Sequence, residues 1–330
     1  MMKVTVKDLA RICGVSIGTV DRALNNRPGI NPGTKAKIVG IANELGYRPH
    51  LLARSLVKGE TKILGLVMLN LYNHFFAQLV DSIERRAKER NFSVFLTLSY
   101  DDKQEEKKCL DQLVGRTVDG IILFSINRGT EYIRYLRTLN TPLVTVVNHV
   151  HKSFPLIAID DNAAIRDAVR FIVSRGYNNI IYLCPETYTS KQSSIYAQEQ
   201  RLLGFRQTVK ETAMLNHFVI MESAAFPERI ASVLSQKNQR TAVLCTTDTI
   251  ALEVLLQLKQ MGLRVPQDIG LMGFDNIDVL RFVSPRLTTV NYPIQDIATQ
   301  AVDCLLSQMR GENVPEKLIL QHDIVVRDSL

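Results

Sequence analysis

Short apolar runs separated by amphipathic stretches recur along most of this chain, and that rhythm constrains its fold more than any other feature. From Lys62 the runs ILGLVML, FSVFLTL, VDGIILFS and PLVTVVN alternate with stretches of helical period near residues 75–91, 103–116 and 130–139. An apolar run followed by a crossover helix is a βαβ unit, so a parallel sheet with helices on both faces is expected. A second series spans 156–290, with helices near 162–176, 197–212, 226–237 and 247–262 between the runs IIYLC, HFVIM, AVLCT and IGLMGF. Two such series imply two lobes, with ligand held at the C-terminal ends of their strands. A last helix near 294–310 and the segment KLILQHDIVVRDSL should cross back between them. The expected lobes are 62–160 with 292–322, and 161–291 with 323–330.

The first sixty residues break this rhythm. Thr5 and Asp8 make a capping-box start for a helix near 6–13, and Ser16 caps a second near 17–24. Only Gly14-Val15-Ser16 lies between them, the tight glycine-containing turn that a helix-turn-helix needs. Ala10 is small where the helices must cross, and Val15, Val20 and Leu24 supply apolar contact. A third helix opens on Asn31-Pro32, carries Ile38, Ile41, Ala42 and Leu45 on one face, and stops at Gly46. An all-α module over 1–49 and a tether over 50–61 follow. Charge singles out the same region: of a net +7, residues 1–62 hold eleven Lys and Arg against four Asp and Glu, while the rest balances at 29 of each. A basic excess confined to a small module is the footprint of nucleic-acid binding, because neutralised phosphates release counterions. A solvated basic face is the plainer alternative.

The strings VTVKDLARICGVSIGTVDRALN, ELGYRP and LARSL resemble the lactose-repressor (LacI/GalR) family in order and spacing. The resemblance implies a periplasmic-binding-protein-like, type I effector domain behind the DNA-binding module, and it extends over essentially the whole chain. It places the recognition helix at 17–24, with Ile17, Gly18 and Arg22 facing bases. A guanidinium can donate two hydrogen bonds to one guanine, which makes Arg22 the strongest reader; a phosphate contact or surface ion pair is the competing reading. Thr5, Ser16, Thr19, Asn25 and Thr34 are short polar groups at helix starts and turns, suited to phosphates or simply to capping. Asp21 stands where the family usually has a small hydroxyl residue, and a carboxylate repels phosphate. Residues 50–58 match the family's hinge helix, which implies Leu56 as a minor-groove wedge and Ala53 at the meeting point of two hinges. A plain linker is the alternative.

In the larger domain, Phe75, Phe76, Arg201, Asp248 and Asp275 match family positions that line or border the effector site, with Asn148, Asp160 and Tyr292 near the crossovers. Carboxylates accept from vicinal hydroxyls, an arginine fork donates two bonds, and an aromatic face covers the apolar side of a sugar or base. The implied effector is a small polar molecule: a sugar, sugar phosphate or nucleoside-like compound. Aromatics at strand ends are also ordinary core, and an Asp before a helix is also an ordinary cap. Thr247 replaces an Asn common in the family, which removes one amide contact.

The reading that results is a ligand-responsive regulator, most simply a repressor, that binds a palindromic operator in double-stranded DNA as a homodimer. An enzyme of the same α/β class would carry a Gly-rich phosphate turn, a nucleophile elbow or a metal cluster, and the sequence shows none; His74, His149 and His151 lack such partners. No cofactor or metal is expected. A transport-type sugar-binding protein would fit the large domain alone, but not the basic module or a start without an apolar leader, and a cytoplasmic location is expected. No apolar run approaches the ~20 residues needed to span a bilayer. The dispersed cysteines, Cys13, Cys109, Cys184, Cys245 and Cys304, suit reduced thiols. No further leucine heptad follows VRDS, so a dimer is the simplest assembly.

Overall fold

A computed structural model describes residues 4–47, 59–184, 195–212, 230 and 240–330, and 216–220 through the backbone. Of the helix expected near 226–237, residue 230 alone is among these, and it is helical. The chain falls into two compact units, Met1–Thr61 and Lys62–Leu330.

The first unit holds α1 (Val6–Cys13), α2 (Ile17–Leu24) and α3 (Pro32–Glu44). Thr5 and Asp8 close a reciprocal capping box on α1, and Gly14 ends it at φ 67°, a left-handed conformation that costs glycine nothing. Ser16 and Asn31 accept from the first turns of α2 and α3. Leu9, Ala10, Cys13, Val20, Ala23, Ile38 and Ala42 form the core. Leu45, expected on the apolar stripe of α3, is instead 41% exposed. The helix stops at Glu44, so Leu45 caps it rather than packing.

The second unit alternates strands and helices. Its elements are β1 (Ile63–Met68), α4 (His74–Glu89), β2 (Ser93–Leu98), α5 (Lys103–Gly115), β3 (Gly120–Leu123), α6 (Thr130–Thr138), β4 (Leu143–Val146) and β5 (Leu156–Ile159). There follow α7 (Asp161–Ser174), β6 (Asn179–Leu183), α8 (Tyr196–Glu211), β7 (Asn216–Ile220), β8 (Thr241–Cys245), α9 (Asp248–Gln260), β9 (Gly270–Asp275) and β10 (Thr288–Asn291). The last elements are α10 (Ile294–Met309), β11 (Lys317–Leu320) and β12 (Asp323–Val325).

Two six-stranded sheets result, ordered β11-β5-β4-β3-β1-β2 and β12-β10-β9-β8-β6-β7. All pairings are parallel except β10 with β12. The run LIAI, which opens the second series in sequence, pairs as β5 with the first sheet between β4 and β11. The chain therefore passes from one sheet to the other three times: between β5 and α7, between β10 and α10, and between β11 and β12.

Leu79, Ile83 and Ala87 of α4 pack with Ala298, Val302 and Leu305 of α10 on one face of the first sheet. Leu110, Leu113 and Leu136 cover the other face. Strand-to-helix turns open on side-chain caps, Asn73, Asp102, Asp160 and Thr247, which satisfy first-turn amides near the strand ends where a ligand would sit. Among the described residues, no helix is long and apolar enough to cross a membrane, and no group of three His, Cys, Asp or Glu could hold a metal ion.

Candidate functional site

In the first unit, the surface of α2 carries the expected readers. Ser16, Ile17, Gly18 and Arg22 are exposed, and Ile17 keeps 49% of its surface free. A Cβ built on Gly18 would meet only the Ser16 hydroxyl, at 3.7 Å, so the module's own packing leaves that position open. The small polar groups are largely spoken for within the module. Thr5 is bonded to Asp8, the hydroxyls of Ser16 and Thr19 lie 2.9 Å apart, and Thr34 is half-buried in the first turn of α3. Asp21 accepts from the Asn25 amide at 2.6 Å and pairs with Arg27 Nη1 at 3.0 Å. This neutralises the carboxylate that sets Asp21 apart, and it engages Asn25 internally. Ala53 and Leu56 lie outside the described residues.

In the second unit a cleft of roughly 630 Å3, its open mouth included, lies between the sheets. One wall comes from the turn after β1 and the start of α4, with Asn70, Tyr72, Asn73, Phe75 and Phe76; the other comes from α8 and the ends of β8 and β9, with Gln198, Arg201, Thr247 and Asp275. Phe75, Phe76, Arg201 and Asp275, singled out in the sequence, thus meet on one cavity. Phe75 and Phe76 are edge-on to each other at 5.4 Å, and Phe76 is edge-on to Phe124 at 4.8 Å.

Arg201 is 2% exposed. Its Nε donates to Asp161 Oδ1 at 2.7 Å, its Nη1 donates to the Thr246 carbonyl at 2.6 Å, and Nη1 lies 3.6 Å from Asp275 Oδ1. The guanidinium also stacks 3.6 Å above the Phe274 ring. A buried cation is tolerated only when paired and hydrogen-bonded in this way. Burial pushes the carboxyls of Asp161 and Asp275 up, against the pull of Arg201. Asp275 is held at φ 117°, a backbone conformation that an L-residue adopts only under constraint.

The remaining expected residues lie behind or beside this wall. Asp248, fully buried, accepts from the Thr289 hydroxyl at 2.7 Å and the Ile277 amide at 3.0 Å, so its carboxylate ties α9 to β10 and to the turn after β9. A Cβ on Gly273 would sit 2.0 Å from that carboxylate, which is why β9 needs glycine there. Asp160 is the exposed cap of α7 and accepts from Ala163 N at 3.0 Å; its neighbour Asp161 is the buried partner of Arg201. Asn148 is buried, donating to the Ser125 carbonyl and accepting from Ala197 N at 3.1 Å, so it joins the lobes instead of facing the cavity. Tyr292 backs the wall, edge-on to Phe75 at 5.1 Å.

Sequence reasoning missed Asn70, Asn73, Gln198, Asp161 and Val147. Val147 lines the cleft at φ 65° in a three-residue turn closed by Asn148 N donating to the Val146 carbonyl at 2.6 Å. A β-branched residue there is a true outlier, which no local pattern announces. Thr247, noted in the sequence for replacing Asn, both lines the cleft and caps α9.

Burial pushes the Asp248 carboxyl up to about 7, opposed by the bonds from Thr289 and Ile277. The folded state then holds a proton that the unfolded chain releases near pH 4, so stability falls as pH rises from about 4 to about 7. Asp248→Asn is expected to flatten that decline in thermal midpoint; an unaltered slope between pH 4 and 7 would remove Asp248 as its source.

A model of bacterial regulatory proteins of the lacI family matches residues 5–50, and a model of periplasmic binding protein-like domains matches 169–330. Catabolite control protein A of Priestia megaterium is 30% identical over 335 residues, covering 99% of each chain. The HTH-type transcriptional regulator RegA of Clostridium acetobutylicum is 31% identical over 336 residues, again covering 99% of each. Among solved structures, the lac repressor dimer bound to operator and the anti-inducer ONPF shares the fold at TM-score 0.85 and 24% identity, over 99% of both chains. A periplasmic binding protein/LacI transcriptional regulator from Alkaliphilus metalliredigens, complexed with D-xylulofuranose, gives TM-score 0.70 at 25% identity, over 81% of this chain and 98% of its own. With such relatives along its full length, the protein is a transcription regulator rather than an enzyme. The chain belongs to the lacI family of bacterial regulatory proteins.

Proposed function

We propose that this regulator works in the cytoplasm as a homodimeric repressor on a palindromic operator, and that its cleft senses a small, uncharged, polyhydroxylated molecule. The observation that carries the second part is the state of Arg201. Its charge is already met by Asp161 and Asp275, and it is the only cation among the described residues that line the cleft, beside Asp101 and Asp275. A phosphate or carboxylate entering this wall would find no unmatched cation, whereas hydroxyls can donate to Asp275 and accept from Arg201, Asn70 or Gln198. Phe75, Phe76 and Phe124 offer the apolar faces that a sugar ring needs. The D-xylulofuranose held by the Alkaliphilus metalliredigens relative supports this class.

A thermal-shift panel pairing free sugars and polyols with their phosphates tests the reading, since a ligand at a hundred times its Kd stabilises by about 2.7 kcal/mol. Hits among the uncharged members are expected. Hits confined to the phosphates would overturn it.

On the DNA side, Ile17, Gly18 and Arg22 are assigned to base edges, with Ser16 and Thr19 toward phosphates, Ala53 and Leu56 in the hinge, and the wedge role at Leu56. Arg22→Ala is expected to remove about 1–3 kcal/mol of discrimination at one operator position. Binding to random duplex should fall far less; a base-preference profile identical to the parent protein's would withdraw the assignment.

A further inference from the structure

We propose that Arg128 and Glu199 form a latch: a two-pronged ion pair that holds the lobes together beside the cleft. The inference concerns how the cleft opens and is independent of which ligand it takes. Arg128 Nη1 donates to Glu199 Oε2 at 2.7 Å, and Nη2 donates to Oε1 at 2.8 Å. Arg128 follows β3 in the first lobe, and Glu199 stands in the first turn of α8 in the second, next to the cleft-lining Ala197 and Gln198.

Both ends of the pair are set in advance. The loop carrying Arg128 is fastened from within its own lobe, because buried Glu106 accepts from Ile126 N at 2.7 Å, from the Ser125 hydroxyl at 2.8 Å and from the Asn127 amide at 3.1 Å. The first turn of α8 is fixed within the second lobe by the Thr246 hydroxyl bonded to Gln198. With both carriers rigid, closing the pair orders two side chains and little else, which removes much of the entropic cost that makes surface ion pairs weak. The Arg128 and Glu199 side chains keep 48% and 29% of their surface, so water and salt still reach the pair. It can therefore break without the cost of exposing a buried charge. Another contact between the lobes, Asp278 N donating to Gln78 Oε1 at 3.1 Å, is uncharged.

Two amides report closure directly, since those of Ala197 and Asp278 each donate across the lobes. Hydrogen exchange of the full-length, ligand-free protein is measured for wild type, Arg128→Glu, Glu199→Arg and the double reversal. Each single reversal is expected to speed exchange at Ala197 and Asp278 by roughly three- to tenfold, lost attraction and new repulsion together. The double reversal should restore wild-type exchange. At about 1 M salt, where the screening length is ~3 Å, the differences among the four proteins should nearly vanish. The latch is refuted if the single reversals leave both amides unchanged, or if the double reversal exchanges as fast as the singles. It is equally refuted if the acceleration extends equally to the amides of β8 and β9, which would mean general destabilisation.

Discussion

Arg201→Met lowers the stability of the effector unit by about 3–5 kcal/mol, the cost of leaving buried carboxylates without their cation. Asp161 and Asp275 are 4% and 3% exposed, and both lean on the same guanidinium. Methionine fills much of the arginine stem's space and can still lie on the Phe274 ring, so the loss is electrostatic more than steric. Adding Asp161→Asn and Asp275→Asn to that variant should recover most of the stability, because neutral groups remove the uncompensated charge. Ligand-induced stabilisation should stay lost in both variants. Urea unfolding read across the three proteins separates these effects: a triple variant no more stable than Arg201→Met would show that charge balance is not what Arg201 provides.

Glu106→Ala is the second large effect, at about 3 kcal/mol or more, since several buried donors lose their acceptor at once. The buried carboxylate receives the Ile126 amide, the Ser125 and Tyr132 hydroxyls and the Asn127 side chain. Burial raises its own pKa, against those four bonds. The loss is expected to be larger than for Glu106→Gln, which keeps one acceptor oxygen in place. A Glu106→Ala variant that unfolds at the same urea concentration as the wild type would show that these bonds do not hold the loop after β3.

The frame of the molecule was legible because its signals are local. Thr5, Ser16 and Asn31 marked helix starts in the first unit, and the alternation of apolar runs with helical periods marked two sheets in the second. What escaped depends on contacts between distant segments. Nothing in Asp160-Asp161 says which carboxylate caps α7 and which turns inward to Arg201; that follows from α8 passing 40 positions later in the chain. Asp248 and Asn148 had the right chemistry for a ligand, yet each is consumed by the scaffold, by Thr289 and Ile277 in one case and by Ser125 and Ala197 in the other. Nothing local marks Glu106 as buried, because its four donors come from residues 19 to 26 positions away. Asp21, flagged as foreign to its position, proved internally neutralised by Arg27.

A molecule bound in the cleft is expected to set the affinity of the protein for DNA. The direct measurement takes a duplex selected from a random pool by the full-length protein and titrates it with and without a saturating sugar from the thermal-shift panel. Coupling between two sites of this kind is typically worth about 1–3 kcal/mol, so a change in Kd of at least roughly fivefold is expected, in either direction. An unchanged Kd with the cleft demonstrably occupied would rule out this coupling, and a selection that enriches no twofold-symmetric site would rule out the palindromic operator.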